Sequence, residues 1–129
     1  MSYTFDAVLD CPIDAAEEEV REALSEKGFG VLTEIDVAAT FKKKLGIDDY
    51  RPYRILGACN PEMAHQAIEA EPNIGAMLPC NVILQQDGEQ TTVHAVDPVA
   101  SMQAIDNDEL GAVATKVREM LKDVIAGLA

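Results

Sequence analysis

Residues 51–82, RPYRILGACNPEMAHQAIEAEPNIGAMLPCNV, contain the pattern of a strand, a helix and the start of a second strand. The first strand is predicted near Tyr53–Cys59, where apolar and β-branched residues are concentrated. Asn60-Pro61-Glu62 predicts a helix start, because it supplies a capping amide, a proline for the first turn and an acid near the helix N-terminus. Glu71-Pro72 ends that helix, and the next strand begins at Cys80.

The residues before this stretch predict two further strands and two helices. Residues 3–9 and 29–35 alternate between apolar and polar side chains, as strands with one buried face do. Between them, apolar residues follow at helical spacings of three and four: Ile13, Ala16, Val20 and Leu24. Gly28 is expected to end that helix. Asp36 is expected to cap a short helix that runs through Leu45 and ends at Gly46.

The residues after it predict a β-hairpin. Asp87-Gly88 is a strong turn signal between strands expected at 80–86 and 89–96. With a two-residue turn at this dipeptide, Ala95 would lie opposite Cys80. His94 would then face away from Cys80, opposite Asn81.

A long final helix completes the pattern. Asp106 and Glu109 resemble a capping box, and one apolar stripe follows them: Leu110, Val113, Val117, Leu121, Val124 and Leu128. Strands and helices alternate early, and a hairpin and a helix close the chain. This order predicts a single α+β domain over residues 1–129, a two-layer sandwich in which both long helices share one face of a sheet with an antiparallel portion.

Composition excludes several classes of protein. The 129 residues are 48% hydrophobic and 26% charged, which is typical of one soluble globular domain. No apolar run approaches the ~20 residues that a membrane span needs. Three cysteines argue against a secreted disulfide scaffold, and the acidic N-terminal residues do not resemble a signal peptide. A cytoplasmic location is therefore expected.

Charge narrows the range of partners. The chain has 23 acidic and 10 basic residues, a net charge of -13, which repels nucleic acids and anionic membranes. Half of the basic residues fall within 13 positions: Lys42, Lys43, Lys44, Arg51 and Arg54. This cluster is either a solvated helix end, where cations meet the negative pole of the helix dipole, or a site for a small anion. The solvated helix end is favoured, because charge runs usually face solvent.

Two Cys-Asn pairs, Cys59-Asn60 and Cys80-Asn81, stand 21 positions apart. One pair leaves a predicted strand and the other opens one. If the two strands are antiparallel, both pairs lie at the same end of the sheet. If the strands are parallel, the thiols lie at opposite ends, roughly 20 Å apart at ~3.3 Å per residue.

The cysteines are the best candidates for chemistry. Cys59 immediately precedes the Asn60 cap, so its sulfur would lie near the positive end of a helix dipole, which favours a reactive thiolate. The alternative is that Cys59 and Cys80 are small buried apolar residues. Cys11 has no companion motif. No metal site is expected, because the two histidines are isolated and closely spaced cysteine pairs are absent.

The segment 51–82 resembles the family called domain of unknown function 302, and the combination of ILGACNP with LPCNV carries the resemblance. The match extends back through residues 28–36 and forward to Asp97-Pro98. The resemblance implies a two-layer α/β sandwich similar to TATA-binding-protein-like folds, with a largely antiparallel sheet and a homodimeric assembly. It implies no reaction and names no cofactor.

Two functions follow from these observations. The leading hypothesis is a thiol-centred site in which Cys59 and Cys80 supply the sulfurs and Asn60 and Asn81 orient a bound group. Such a site would carry a persulfide, cycle between dithiol and disulfide, or hold a small sulfur-containing or anionic ligand. The second hypothesis is a non-catalytic homodimeric interaction module whose cysteines are structural.

Overall fold

The computed structural model of the protein describes residues 2–128. Five strands, five α-helices and one 3-10 segment follow one another along this part of the chain: β1 (Thr4–Leu9), α1 (Ile13–Glu26), β2 (Gly30–Asp36), α2 (Val37–Leu45), β3 (Tyr53–Cys59), α3 (Pro61–Ala70), the 3-10 segment Pro72–Met77, β4 (Cys80–Asp87), β5 (Gln90–Val96), α4 (Pro98–Ser101) and α5 (Asp108–Ala126). The predicted elements are all present.

The five strands form one sheet in the order β1-β5-β4-β3-β2, and every neighbouring pair is antiparallel. The end of β3 and the start of β4 therefore lie at the same end of the sheet. The predicted α+β sandwich is confirmed, and so is the antiparallel alternative for the two strands that carry the Cys-Asn pairs.

Helices α1 and α5 pack on the same face of the sheet. Their buried residues, among them Val20, Leu24 and Leu121, share one core with the inward-facing residues of β4 and β5. These strands alternate buried and less buried side chains, as a sheet covered on one face does. None of the helices in residues 2–128 has the length and apolar composition needed to cross a membrane.

The register of the hairpin differs from the prediction by two residues. Strand β4 continues through Asp87, which pairs with Gln90, and Val82 rather than Cys80 lies opposite Ala95. The turn is Gly88-Glu89, because Gly88 takes the left-handed conformation (φ 64°) at the first of the two turn positions. Because the shift is even, His94 still lies on the face away from Cys80.

The cap of α5 is Asn107 and not Asp106. The Asn107 side chain accepts a hydrogen bond from the backbone N–H of Leu110 at 3.1 Å and donates one to the carbonyl oxygen of Ala70 at 2.9 Å. A carboxylate at this position could accept but not donate. The amide therefore caps α5 and joins it to the C-terminal end of α3.

The edge formed by β2 and α2 is far more exposed than the rest of the fold. Helix α2 is well capped, since Asp36 accepts a hydrogen bond from the backbone N–H of Ala39 and Gly46 ends the helix with φ 70°. However, no residue of α2 is buried, and only Val31 of β2 is even half-buried. This edge therefore presents a large surface outside the core.

Candidate functional site

An apolar cavity of about 30 Å3 lies at the end of the sheet where β3 ends and β4 begins. Cys59 and Cys80 border it together with apolar side chains of α3 and α5, including Met63, Ala64 and Val117. One water-sized group needs about 10–15 Å3, so the cavity has room for two or three such groups.

The two cysteines differ in environment. Cys59 is half-buried, whereas Cys80 is only 7% exposed, and both are free thiols. Burial, together with the nearby charge of Cys59, raises the pKa of the Cys80 thiol to about 11. Cys80 is therefore a neutral S–H group near neutral pH, and of these two cysteines Cys59 is the one that combines solvent access with a position at a helix start.

Asn60 has a structural role at this site. Its side-chain oxygen accepts a hydrogen bond from the backbone N–H of Met63 at 3.2 Å, which caps α3. Its amide nitrogen donates to the carbonyl oxygen of Lys27 at 3.3 Å, which joins the start of α3 to the end of α1. Asn60 borders the cavity, but both ends of its side chain are already hydrogen-bonded.

Asn81 lies elsewhere. It pairs with Gly57 in the β3–β4 register, next to the Ala58–Cys80 pair, so its side chain leaves the sheet on the face opposite that of Cys80. It is exposed and does not border the cavity. Cys59, Asn60 and Cys80 therefore border one cavity, and Asn81 does not.

The remaining candidates do not join this site. His65 is exposed on α3, and Nδ1 of His94 lies 2.6 Å from Oδ1 of Asp6 on the open face of the sheet. Residues 2–128 contain no group of three or more His, Cys, Asp or Glu side chains placed to hold a metal ion. Burial and the carboxylates of Glu19 and Asp10 raise the pKa of the Cys11 thiol.

The basic cluster does not form a common anion site. Lys42, Lys43 and Lys44 occupy the last turn of α2, where they meet the negative pole of its dipole. Arg51 donates to the side-chain oxygen of Gln85, and Arg54 is paired with carboxylates of α1. This arrangement agrees with the interpretation of the lysines as a solvated helix end.

The apolar lining of the cavity is the part of the site that sequence reasoning missed. Met63 and Met102 both border the cavity beside the two thiols. The apolar stripe of α5 was the one sequence signal of this lining, because two of its residues, Val113 and Val117, border the cavity. Chemically, the arrangement offers one accessible thiol, one buried neutral thiol and a small apolar space between the layers.

Comparisons with known proteins agree with this fold. The profile of the family described as domain of unknown function DUF302 matches residues 5–128. The crystal structure of an uncharacterized conserved DUF302 protein from Bacillus stearothermophilus is similar over 100% of both chains, with a TM-score of 0.91 and 22% sequence identity. Comparison with curated proteins gives no match. Because the profile spans nearly the whole sequence, the chain belongs to the family described as domain of unknown function DUF302.

Proposed function

We propose that the protein performs thiol chemistry at the cavity bordered by Cys59 and Cys80. The observation that carries the proposal is that two free cysteines from different strands border the same small apolar cavity at one end of the sheet. Cys59 lies directly before the Asn60 cap of α3.

The two sulfurs take different roles in this proposal. Cys59 is the reacting thiol, because it is only half-buried and solvent can reach it. Cys80 stays protonated, because burial raises its pKa to about 11. Asn60 fixes the start of α3 and so the position of the neighbouring Cys59. Asn81 has no role, since it does not border the cavity.

Selective alkylation tests this assignment. Near neutral pH, iodoacetamide should label Cys59 first and Cys11 more slowly, because burial and neighbouring acids raise the pKa of the Cys11 thiol. Cys80 should be labelled only after denaturation. The measurement is a time course of peptide masses for the wild type, with Cys11→Ser and Cys59→Ser as matched controls. Faster labelling of Cys11, or protection of Cys59 until the protein unfolds, would contradict the proposal.

We propose a homodimeric interaction module as the second candidate function, in which the cysteines are structural. The exposed edge favours it: Leu32 and Leu45 are 67% and 66% exposed, and Ile35 is 48% exposed. A nine-residue helix is marginally stable without tertiary packing, and no residue of α2 is buried.

Sedimentation equilibrium of the full chain tests the dimer. The wild type should sediment with twice the monomer mass, and Leu45→Glu should shift it to the monomer, because it buries a carboxylate at the interface. Ile68→Glu is the matched control, since Ile68 is an exposed apolar residue of α3 outside this edge. A monomeric wild type, or equal effects of the two variants, would refute the interaction module.

A further inference from the structure

We infer that the protein binds a neutral apolar group the size of a benzene ring in a second cavity, between α4 and the start of α5. This site does not require a reactive cysteine, so it goes beyond the proposed function. The cavity bordered by Cys59 and Cys80 is called the inner cavity below. The second cavity, bordered among others by Val99, Met102 and Gly111, is called the outer cavity.

The outer cavity lies against a small core that is separate from the main one. Five buried residues of α3, α5 and the neighbouring segments form this second core: Ala67, Ile74, Met102, Leu110 and Ala114. Three of them, Met102, Leu110 and Ala114, border both the inner and the outer cavity. Protein interiors normally contain few voids larger than a water molecule, so a core of five residues that borders two cavities is loosely packed.

The outer cavity has room for one six-membered ring. Its volume is about 250 Å3, and an apolar cavity of about 150 Å3 is already large enough to take up benzene. Gln103 and Gly111 at its border are exposed, and Val99 is 38% exposed. A ligand can therefore enter from solvent without unfolding of the second core.

The composition of its wall favours an uncharged ligand. Of the described residues that border the outer cavity, Gln103 has the one polar side chain and none is charged. A charged group placed there would lose hydration without gaining an ion-pair partner. An apolar group would instead be removed from water against valine, methionine, isoleucine, leucine and alanine side chains, which is favourable.

Met102 makes this wall adaptable. Its side chain is unbranched and has three rotatable bonds, so it can adjust to fill or open an irregular space. It is 8% exposed and borders both cavities. A ligand in the outer cavity therefore contacts Met102, and the methyl group of this residue reports whether the cavity is occupied.

Titration with toluene, followed by NMR of the full chain labelled at the methionine methyl groups, tests the inference. The methyl signal of Met102, assigned with the Met102→Leu variant, should shift and reach saturation as toluene is added. The signals of Met77 and Met120 should not shift, because neither is among the described residues that border the two cavities. Benzoate and benzylamine, which add a charge to the same ring, should bind several-fold more weakly.

Gly111→Leu tests where the ligand binds. A Cβ atom built on Gly111 meets no described atom within 4 Å, so a larger side chain has room there and can occupy the outer cavity. Gly111→Leu should weaken toluene binding several-fold, and Gly111→Ala should weaken it less. Ala112→Leu is the matched control, since Ala112 is the next residue of α5, is exposed and does not border the outer cavity. It should bind toluene as the wild type does.

Several outcomes would overturn the inference. It fails if Met77 and Met120 shift as much as Met102, if the Met102 shift does not saturate, or if benzoate binds as tightly as toluene. Equal weakening by Gly111→Leu and Ala112→Leu would place the ligand elsewhere. If Gly111→Leu instead converts a dimer into a monomer in sedimentation equilibrium, a second copy covers the outer cavity and the small-molecule site is wrong. The alkylation experiment is independent of all these outcomes, so the proposed function is tested separately.

Discussion

Replacing Gly57 by alanine should lower the free energy of unfolding by about 3 kcal/mol, the upper end of what overpacking of a tight site costs. Gly57 is a buried residue of β3 between Thr33 of β2 and the start of β4. A Cβ atom built on it would overlap Oγ1 of Thr33 and lie 2.7 Å from Cγ of Pro79. The proline ring cannot rotate away, so the strands would have to separate. Urea denaturation monitored by circular dichroism measures the change.

Two further variants isolate the cause of this effect. Gly30→Ala is the matched control on the neighbouring strand, because an added Cβ there meets no atom within 4 Å. Its unfolding free energy should change by less than about 0.5 kcal/mol. Adding Thr33→Ala to the Gly57→Ala variant removes the hydroxyl overlap but not the contact with Pro79, so it should restore only part of the stability. Equal stabilities for Gly57→Ala and Gly30→Ala would refute the close packing.

Replacing Arg54 by glutamine should lower the free energy of unfolding by about 2–3 kcal/mol near neutral pH. Arg54 lies 2.7 Å from Oδ1 of Asp14 and 3.0 Å from Oε1 of Glu17, and its side chain is only 21% exposed. Removing one member of a fully buried ion pair costs about 3–5 kcal/mol, and partial exposure reduces that cost here. Urea denaturation at a series of pH values measures the difference.

The effect of Arg54→Gln should shrink in acid. Burial raises the pKa of Glu17, but hydrogen bonds with Glu34, Arg21 and Arg54 outweigh burial and lower it. A carboxyl with a lowered pKa in the folded state adds stability above its unfolded pKa, and that stability is lost as the pH falls through the folded value. The difference between wild type and variant should therefore be largest near neutral pH and decrease below the ordinary pKa of a glutamate.

Glu34 acts in the opposite direction in the same cluster. Its hydrogen bond with the Glu17 carboxylate raises the pKa of Glu34, so Glu34 adds stability in acid that is lost as the pH rises through its folded pKa.

Arg51→Gln is the matched control for Arg54→Gln, since the exposed Arg51 hydrogen-bonds to Gln85 instead of joining the carboxylate cluster. It should change stability by less than about 0.5 kcal/mol at every pH. The same pH profile for both arginine variants would contradict the ion-pair assignment.

Much of the fold could be predicted from local signals, because those signals are physical constraints on short stretches of chain. Asn60 and Asp36 cap their helices as expected, and Gly46 ends α2 in the left-handed conformation that favours glycine. Strand direction could not be obtained in this way. Periodicity indicates that residues 53–59 and 80–86 form strands but does not indicate how they are oriented relative to each other.

The predictions that were wrong or incomplete, the hairpin register, the cap of α5 and the lining of the cavity, also have physical causes. The hairpin register depends on which residue takes the positive φ, and Gly88 occupies the first turn position instead of the second. The choice of Asn107 as the cap of α5 depends on a tertiary contact. Its side chain donates a hydrogen bond to the carbonyl oxygen of Ala70, which is distant in the sequence. The cavity is assembled from residues between Ala58 and Val117, so its existence and small size are tertiary properties.

The pairing of β1 with β5 has a consequence for how the protein folds during synthesis. Thr4 lies opposite Val96 and Leu9 opposite Thr91, so the first strand made joins the sheet beside the last. Loop closure over so many residues carries an entropic cost that must be met before the contacts stabilise the chain. On the ribosome, the apolar side of residues 4–9 therefore stays unpaired until residues 91–96 have emerged, and this interval exposes the nascent chain to aggregation.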